Sequence, residues 1–145
     1  MKATDVAKYV IAICYKNTIH ISNLKLQKTL FFLWIDFYAA TNKCLFDDKF
    51  YAWPLGPVIP SIYREYSAYG SLPLLPYGKE GSELLPLTEK ETELLDTLIQ
   101  KYASMSAYNL VEKSHEKGSS WATTFRDGLG NTFEIPFDLI KQLRK

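Results

Sequence analysis

The sequence predicts a mainly α protein, a compact single-domain bundle of five to six helices with a short β-hairpin or small strands, spanning 1–145 as one unit. Three observations lead there. Apolar residues recur with a 3.6-residue period in several capped segments. One Pro/Gly-rich block, Trp53-Pro54-Leu55-Gly56-Pro57-Val58, interrupts them with a specified turn. The 145-residue chain is 47% hydrophobic and 23% charged, ordinary globular values that exclude disordered and fibrous classes and suffice for one core.

The elements follow in order. Thr4 to Asn17 reads as an amphipathic helix with Thr4 as N-cap and Val6, Tyr9, Val10, Ile13 and Cys14 on one face. Ser22 or Asn23 caps a second helix running to Ala40, apolar nearly all round in its second half and therefore central. Thr41-Asn42-Lys43 is a turn, and Leu45 to Trp53 an extended segment that Pro54-Leu55-Gly56-Pro57 should stop. Pro60 opens a helix to Tyr69, with Gly70 as its stop and Ile59, Ile62, Tyr66 and Tyr69 facing inward. Ser71 to Pro86 is a long Pro/Gly-containing loop around Lys79 to Glu83, expected to be mobile or functional. Thr88-Glu89-Lys90-Glu91 is a capping box for a helix carrying Leu94, Leu95, Leu98, Ile99 and Tyr102. Ser106 to Glu116 should bury Tyr108, Leu110 and Val111 and end at Gly118. Thr132 to Ile135 alternates as a short strand, and Pro136 opens a last helix through Leu143.

Composition also sorts function classes. A formal charge of +1 gives no field to steer nucleic acid or anionic lipid, so neither partner is expected. No apolar run reaches membrane-spanning length, and Asp5, Lys8 and Tyr9 interrupt any signal-peptide core, so a cytoplasmic protein is expected. Cys14 and Cys44 have no metal or disulfide spacing, no Gly-rich phosphate loop is present, and no metal or cofactor is expected. Ser114-His115-Glu116 cannot form a triad from neighbouring helix positions, because adjacent side chains diverge by about 100°. The surplus is aromatic: 21 of 145 residues are Tyr, Phe or Trp, which suits an interface with another protein.

Candidate contact residues come from four places. On the second helix, Lys25, Lys28, Thr29, Phe32, Asp36 and Lys43 fall on one polar stripe. Its apolar member Phe32 is either covered by another element or a lysine stem, or faces a partner; Asp36 reads as a solvated or capping carboxylate. The rigid turn contributes Trp53 and Leu55, and the following helix Tyr63 and Arg64. His115 reads as a polar residue at a helix end and completes the candidate set. A small hydrolase or transferase using Asp36, His115 or Glu116 in a tyrosine-lined cleft is the competing class, and a DNA-binding regulator a third, lacking a basic stripe.

The order Lys25-Leu26-Gln27-Lys28, Leu45-Phe46, Ala52-Trp53-Pro54-Leu55-Gly56-Pro57-Val58, Tyr63-Arg64-Glu65 and Tyr69-Gly70 resembles the Panacea, or SocA-like, antitoxin domain, often labelled phage-associated. The resemblance continues through Leu87-Thr88, Tyr102, Ser106, Leu110-Val111 and Ser114-His115-Glu116 to Trp121, nearly the whole chain. Trp34, Ile35 and Ser120 depart from the pattern. The resemblance implies a helical domain that neutralises a co-encoded protein toxin by binding it, with no enzymatic activity. The alternatives it implies are an adaptor presenting the toxin to an ATP-dependent protease, or a phage-associated binding protein with a changed partner. With no length left for an added domain, the chain reads as the stand-alone form.

Overall fold

Helix α2 (Asn23–Thr41) is the axis of the fold, with the other elements laid around it. The computed structural model describes residues 1–77 and 85–142. Around α2 stand α1 (Ala3–Lys16), α3 (Pro60–Glu65), α4 (Glu89–Ala103), α5 (Ala107–Ser114), α6 (Ser120–Phe125) and α7 (Phe137–Gln142). Strands β1 (Phe50–Trp53), β2 (Gly56–Val58) and β3 (Glu134–Ile135) form one antiparallel sheet in the order β2-β1-β3. The helical bundle with a small hairpin is therefore as expected, with seven α-helices among the described residues, α6 being the one the sequence reading lacked.

The all-round apolarity of α2 explains its position. Leu26, Leu30, Leu33 and Trp34 have no exposed surface, and a helix buried on every side must sit inside its neighbours. Trp34 Nε1 donates to Phe46 O at 2.9 Å and its ring stacks on Phe137 at 4.8 Å, satisfying the polar edge while the faces stay apolar. Ser22 caps the start, accepting from Lys25 N at 3.3 Å. Asn42, left-handed at φ 59°, closes the end where a turn was expected.

Several expectations are corrected. Helix α1 begins at Ala3 after Lys2, not with Thr4 as cap, because the Ala3 N–H donates to Asp48 Oδ1 at 2.9 Å across the fold. The Pro/Gly block does end β1 at Trp53, but beyond the turn Gly56–Val58 comes back as β2, paired through Tyr51 with Val58, Ala52 with Pro57 and Trp53 with Gly56. Pro57 is tolerated because β2 is an edge strand. Helix α3 ends at Glu65, and a 3-10 turn at Ser67–Tyr69 carries the chain to Gly70. Tyr108 is 72% exposed, since the inward face of α5 is set by Leu110 and Ser114, four residues apart. The capping box at Thr88 and Glu91 forms as expected. The loop core at Lys79 to Glu83 and the chain end from Leu143 lie outside the described residues.

Candidate partner-binding site

The two motif blocks of the sequence meet in space. Three residues on the first turns of α2, Asn23, Gln27 and Lys28, reach α3, the hairpin exit and β2, each by a different hydrogen bond. Asn23 Nδ2 donates to Tyr63 O at 2.9 Å and Asn23 Oδ1 accepts from Gln27 Nε2 at 3.1 Å. Gln27 Oε1 accepts from the Ile59 N–H at 3.0 Å, and Lys28 Nζ donates to Pro57 O at 2.9 Å. Gln27 and Lys28 are both fully buried, so the Leu-Gln-Lys block pins α2 to the strand that the Gly-Pro-Val block builds. Gly56 permits the approach. Its φ is +113°, and a Cβ there would stand 2.6 Å from Ser114 Oγ and 2.8 Å from Lys28 Cε. Across the hairpin, Trp121 Nε1 on α6 donates to Trp53 O at 2.7 Å, and the Trp53 and Tyr63 rings meet edge-on at 5.1 Å.

These contacts leave a groove of about 620 Å³ between the start of α2, the hairpin tip, α3 and the start of α5. Trp53, Leu55, Val58 and Tyr63 wall it with apolar surface, Lys28 lines its floor, and Ser22, Asn23, Leu24 and Ala107 bring two helix N-termini to its edge. Leu55 is 55% exposed, an apolar side chain held in solvent by a rigid turn. Removal from water lowers the Lys28 amine from its ordinary 10.5 to about 7. Among the described residues no carboxylate lines the groove.

Of the residues singled out by sequence, Lys28, Trp53, Leu55 and Tyr63 share this groove, and Arg64 is exposed on the neighbouring turn of α3. The others are separate from it. The polar stripe faces solvent only in part: α4 and α5 pack on it, so Lys28 and Thr29 are sealed and Phe32 is only 6% exposed, while Lys25 and Asp36 are partly exposed and Lys43 is exposed. Of the two readings of Phe32, the covered one holds. Tyr102 stacks on it at 5.2 Å and the Lys113 ammonium stands 5.6 Å from its ring centre. Asp36 is not a cap; partly exposed, it accepts a hydrogen bond from Tyr102 Oη, and burial together with that bond raises the phenol's pKa. His115 follows α5 and stacks on Trp121 at 3.8 Å, its Nε2 buried without a hydrogen-bond partner. Burial lowers its pKa, with Lys28 adding to the effect and Glu112 opposing it. Among the described residues no hydrogen bond joins any two of Asp36, His115 and Glu116, the geometry the hydrolase reading requires.

Sequence reasoning missed Asn23 as a tie to α3 and the convergence of the α2 and α5 starts on the groove. The signal was partly present, since Ser22/Asn23 and Ser106 carry the N-cap pattern. Which helix ends share a cleft is set only by tertiary packing. Among the described residues no helix is long and apolar enough to cross a membrane.

Comparison with known proteins identifies the family. The family model for the SocA-like antitoxin, Panacea domain, matches residues 26–122, from the Leu-Gln-Lys block to α6. Antitoxin SocA of Caulobacter vibrioides (strain NA1000 / CB15N) is 31% identical over 111 residues, covering 71% of this chain and 59% of the relative. The chain thus spans rather more than half the length of the curated relative it matches. No solved structure matches the chain. A family match over well beyond half its length, running through both motif blocks that build the groove, places the chain in the SocA-like antitoxin, Panacea domain family.

Proposed function

We propose that this protein is an antitoxin that neutralises a protein toxin encoded by an adjacent gene through direct binding, using the groove between α2, the hairpin tip and α3. The observation that carries this reading is the groove itself. The two sequence blocks that mark the family build it, and it presents Trp53, Leu55 and Tyr63 beside exposed Arg64. Aromatic and arginine side chains around a pocket are what concentrated binding energy in a protein interface requires. Phe32, Asp36 and His115 act in this scheme from behind, Phe32 and Asp36 by fixing α4 against α2 and His115 by fixing α6 against the end of α5.

The test is co-expression with the adjacent gene product. Rescue of growth together with a stoichiometric complex, both lost on Leu55→Ala combined with Tyr63→Ala in a chain that stays folded, is the expected result. A complex that forms unchanged with that double variant contradicts the assigned surface. Rescue in which the neighbour protein disappears instead of accumulating in a complex points to delivery to a protease.

A further inference from the structure

We propose that a second cavity, apart from the groove, binds a small organic monocarboxylate with a compact apolar body. The cavity, of about 260 Å³, lies between α2, α5 and the chain leading into α6. It shares no lining residue with the groove, so the inference stands independently of the antitoxin reading.

One wall is apolar. Phe31, Phe32 and Ile35 of α2 form it, the two phenyl rings meeting edge-on at 5.5 Å. The facing wall is polar and its charges are unpaired. Among the described residues the charged side chains lining the cavity are Lys113, Lys117 and Glu116, and none of the three belongs to an ion pair. Lys113 is half-buried and Lys117 exposed, so both stand where a ligand can reach them. The Lys113 ammonium lies 5.6 Å from the Phe32 ring centre, which sets a cation directly beside the apolar wall.

The hydroxyls single out one donor. Ser114 Oγ donates to Val111 O at 2.8 Å, and Ser119 Oγ donates to Ser114 O at 2.9 Å while accepting from Ala122 N at 3.0 Å. Ser120, only 4% exposed, makes no side-chain hydrogen bond among the described residues. The unpartnered side-chain atoms that are fully sealed there are Thr29 Oγ1, His115 Nε2 and Thr124 Oγ1. Ser120 Oγ is therefore unpartnered but open, and the cavity is the space it borders. A nearly buried hydroxyl in this condition favours a ligand that accepts from it.

Charge and size then set the ligand class. Two ammonium groups and one carboxylate leave the cavity with one positive charge, the complement of a monoanion. The ligand carboxylate accepts from Lys113 Nζ and Ser120 Oγ, and its body lies on Phe31, Phe32 and Ile35. At about 30 Å³ per water, the space equals roughly nine waters and accommodates one aromatic ring with a short acid chain.

The probe is hydrocinnamate, a phenyl ring on a short acid chain, compared with its amide and with phenyl phosphate. Each is titrated into the full chain and followed by amide and indole NMR signals. The expected result is saturable shifts at Lys113, Ser120 and the Trp121 indole, with the acid binding at least about fivefold more tightly than the amide and no more weakly than the phosphate. Ser120→Ala should weaken the acid by about threefold or more and Lys113→Met by about fivefold, while Glu116→Gln, which removes the opposing charge, should tighten it about twofold. Leu55→Ala, in the groove, should leave it unchanged. Should Ser120→Ala or Lys113→Met fail to fold, the acid and amide comparison on the unaltered chain and the Glu116→Gln arm decide. Equal binding of acid and amide, tighter binding of the phosphate, shifts centred on Trp53 and Tyr63, or no saturable shift up to about 10 mM overturns the proposal.

Discussion

Lys28→Met gives a test in which the sign of the effect changes with pH. Met keeps most of the stem that packs under Gly56 and removes Nζ, leaving Pro57 O without its donor; an orphaned buried carbonyl costs about 1–3 kcal/mol. Against this stands the ammonium. The gap between 10.5 and about 7, at about 1.4 kcal/mol per pH unit, is a penalty on the order of 5 kcal/mol, present in full below pH 7. Between about pH 7 and 10.5 the unfolded chain holds the Lys28 proton and the folded chain does not, so the stability of the unaltered protein rises with pH. The variant lacks that slope. At pH 6 it should therefore be more stable than the unaltered protein by roughly 2–4 kcal/mol, and near pH 10, where about 1 kcal/mol of the penalty remains, less stable by up to about 2 kcal/mol. Urea unfolding followed by tryptophan fluorescence at several pH values measures both curves. A constant difference across this range, or a variant markedly less stable at pH 6, refutes the burial of an unpaired ammonium.

Three further outcomes follow from the packing. Gly56→Ala should cost more than about 2 kcal/mol, because an L residue at φ +113° is strained and its Cβ meets Ser114 Oγ at 2.6 Å; a thermal melt checks it, and an unchanged midpoint refutes it. Phe32→Ala should lose about 3–5 kcal/mol of stability from the stack with Tyr102, while exposed Leu55→Ala should change stability by no more than about 0.5 kcal/mol and weaken the complex, a contrast read by denaturation beside co-purification. Above pH 10 stability should fall, since burial and the Asp96 and Asp36 carboxylates raise the Tyr9 and Tyr102 phenols above their ordinary 10.0, so the unfolded chain ionises first; Tyr102→Phe should flatten that alkaline loss.

Local patterns carried much of the fold into the sequence. The Ser22 cap and the Thr88 capping box are local signals that appear where the spacing put them, whereas Gly70 closes a 3-10 turn and α3 has already ended at Glu65. The apolar girth of α2 announced its central place. The polar stripe on α2 misled because residue type stood in for exposure: Lys28 is charged yet sealed, its ammonium answered by a carbonyl 29 positions away, which no helical wheel reveals. Helix α6 escaped notice because Ser120–Phe125 is too short to display a period; it is held by a Ser119 cap and by Trp121 between His115 and Phe125. The groove was half legible, its Trp53, Leu55 and Tyr63 wall following from a rigid turn and its floor depending on tertiary contact.

The central claim, that this groove is where the protein meets a toxin, is tested most directly by purifying the chain together with the adjacent gene product and measuring the complex with unaltered protein and with Leu55→Ala/Tyr63→Ala. A stable complex that protects a bacterial host, weakened by at least about tenfold in the double variant while its melting behaviour is retained, is the predicted result. A complex of unchanged affinity, or a neighbour whose toxicity the unaltered protein leaves untouched, contradicts it.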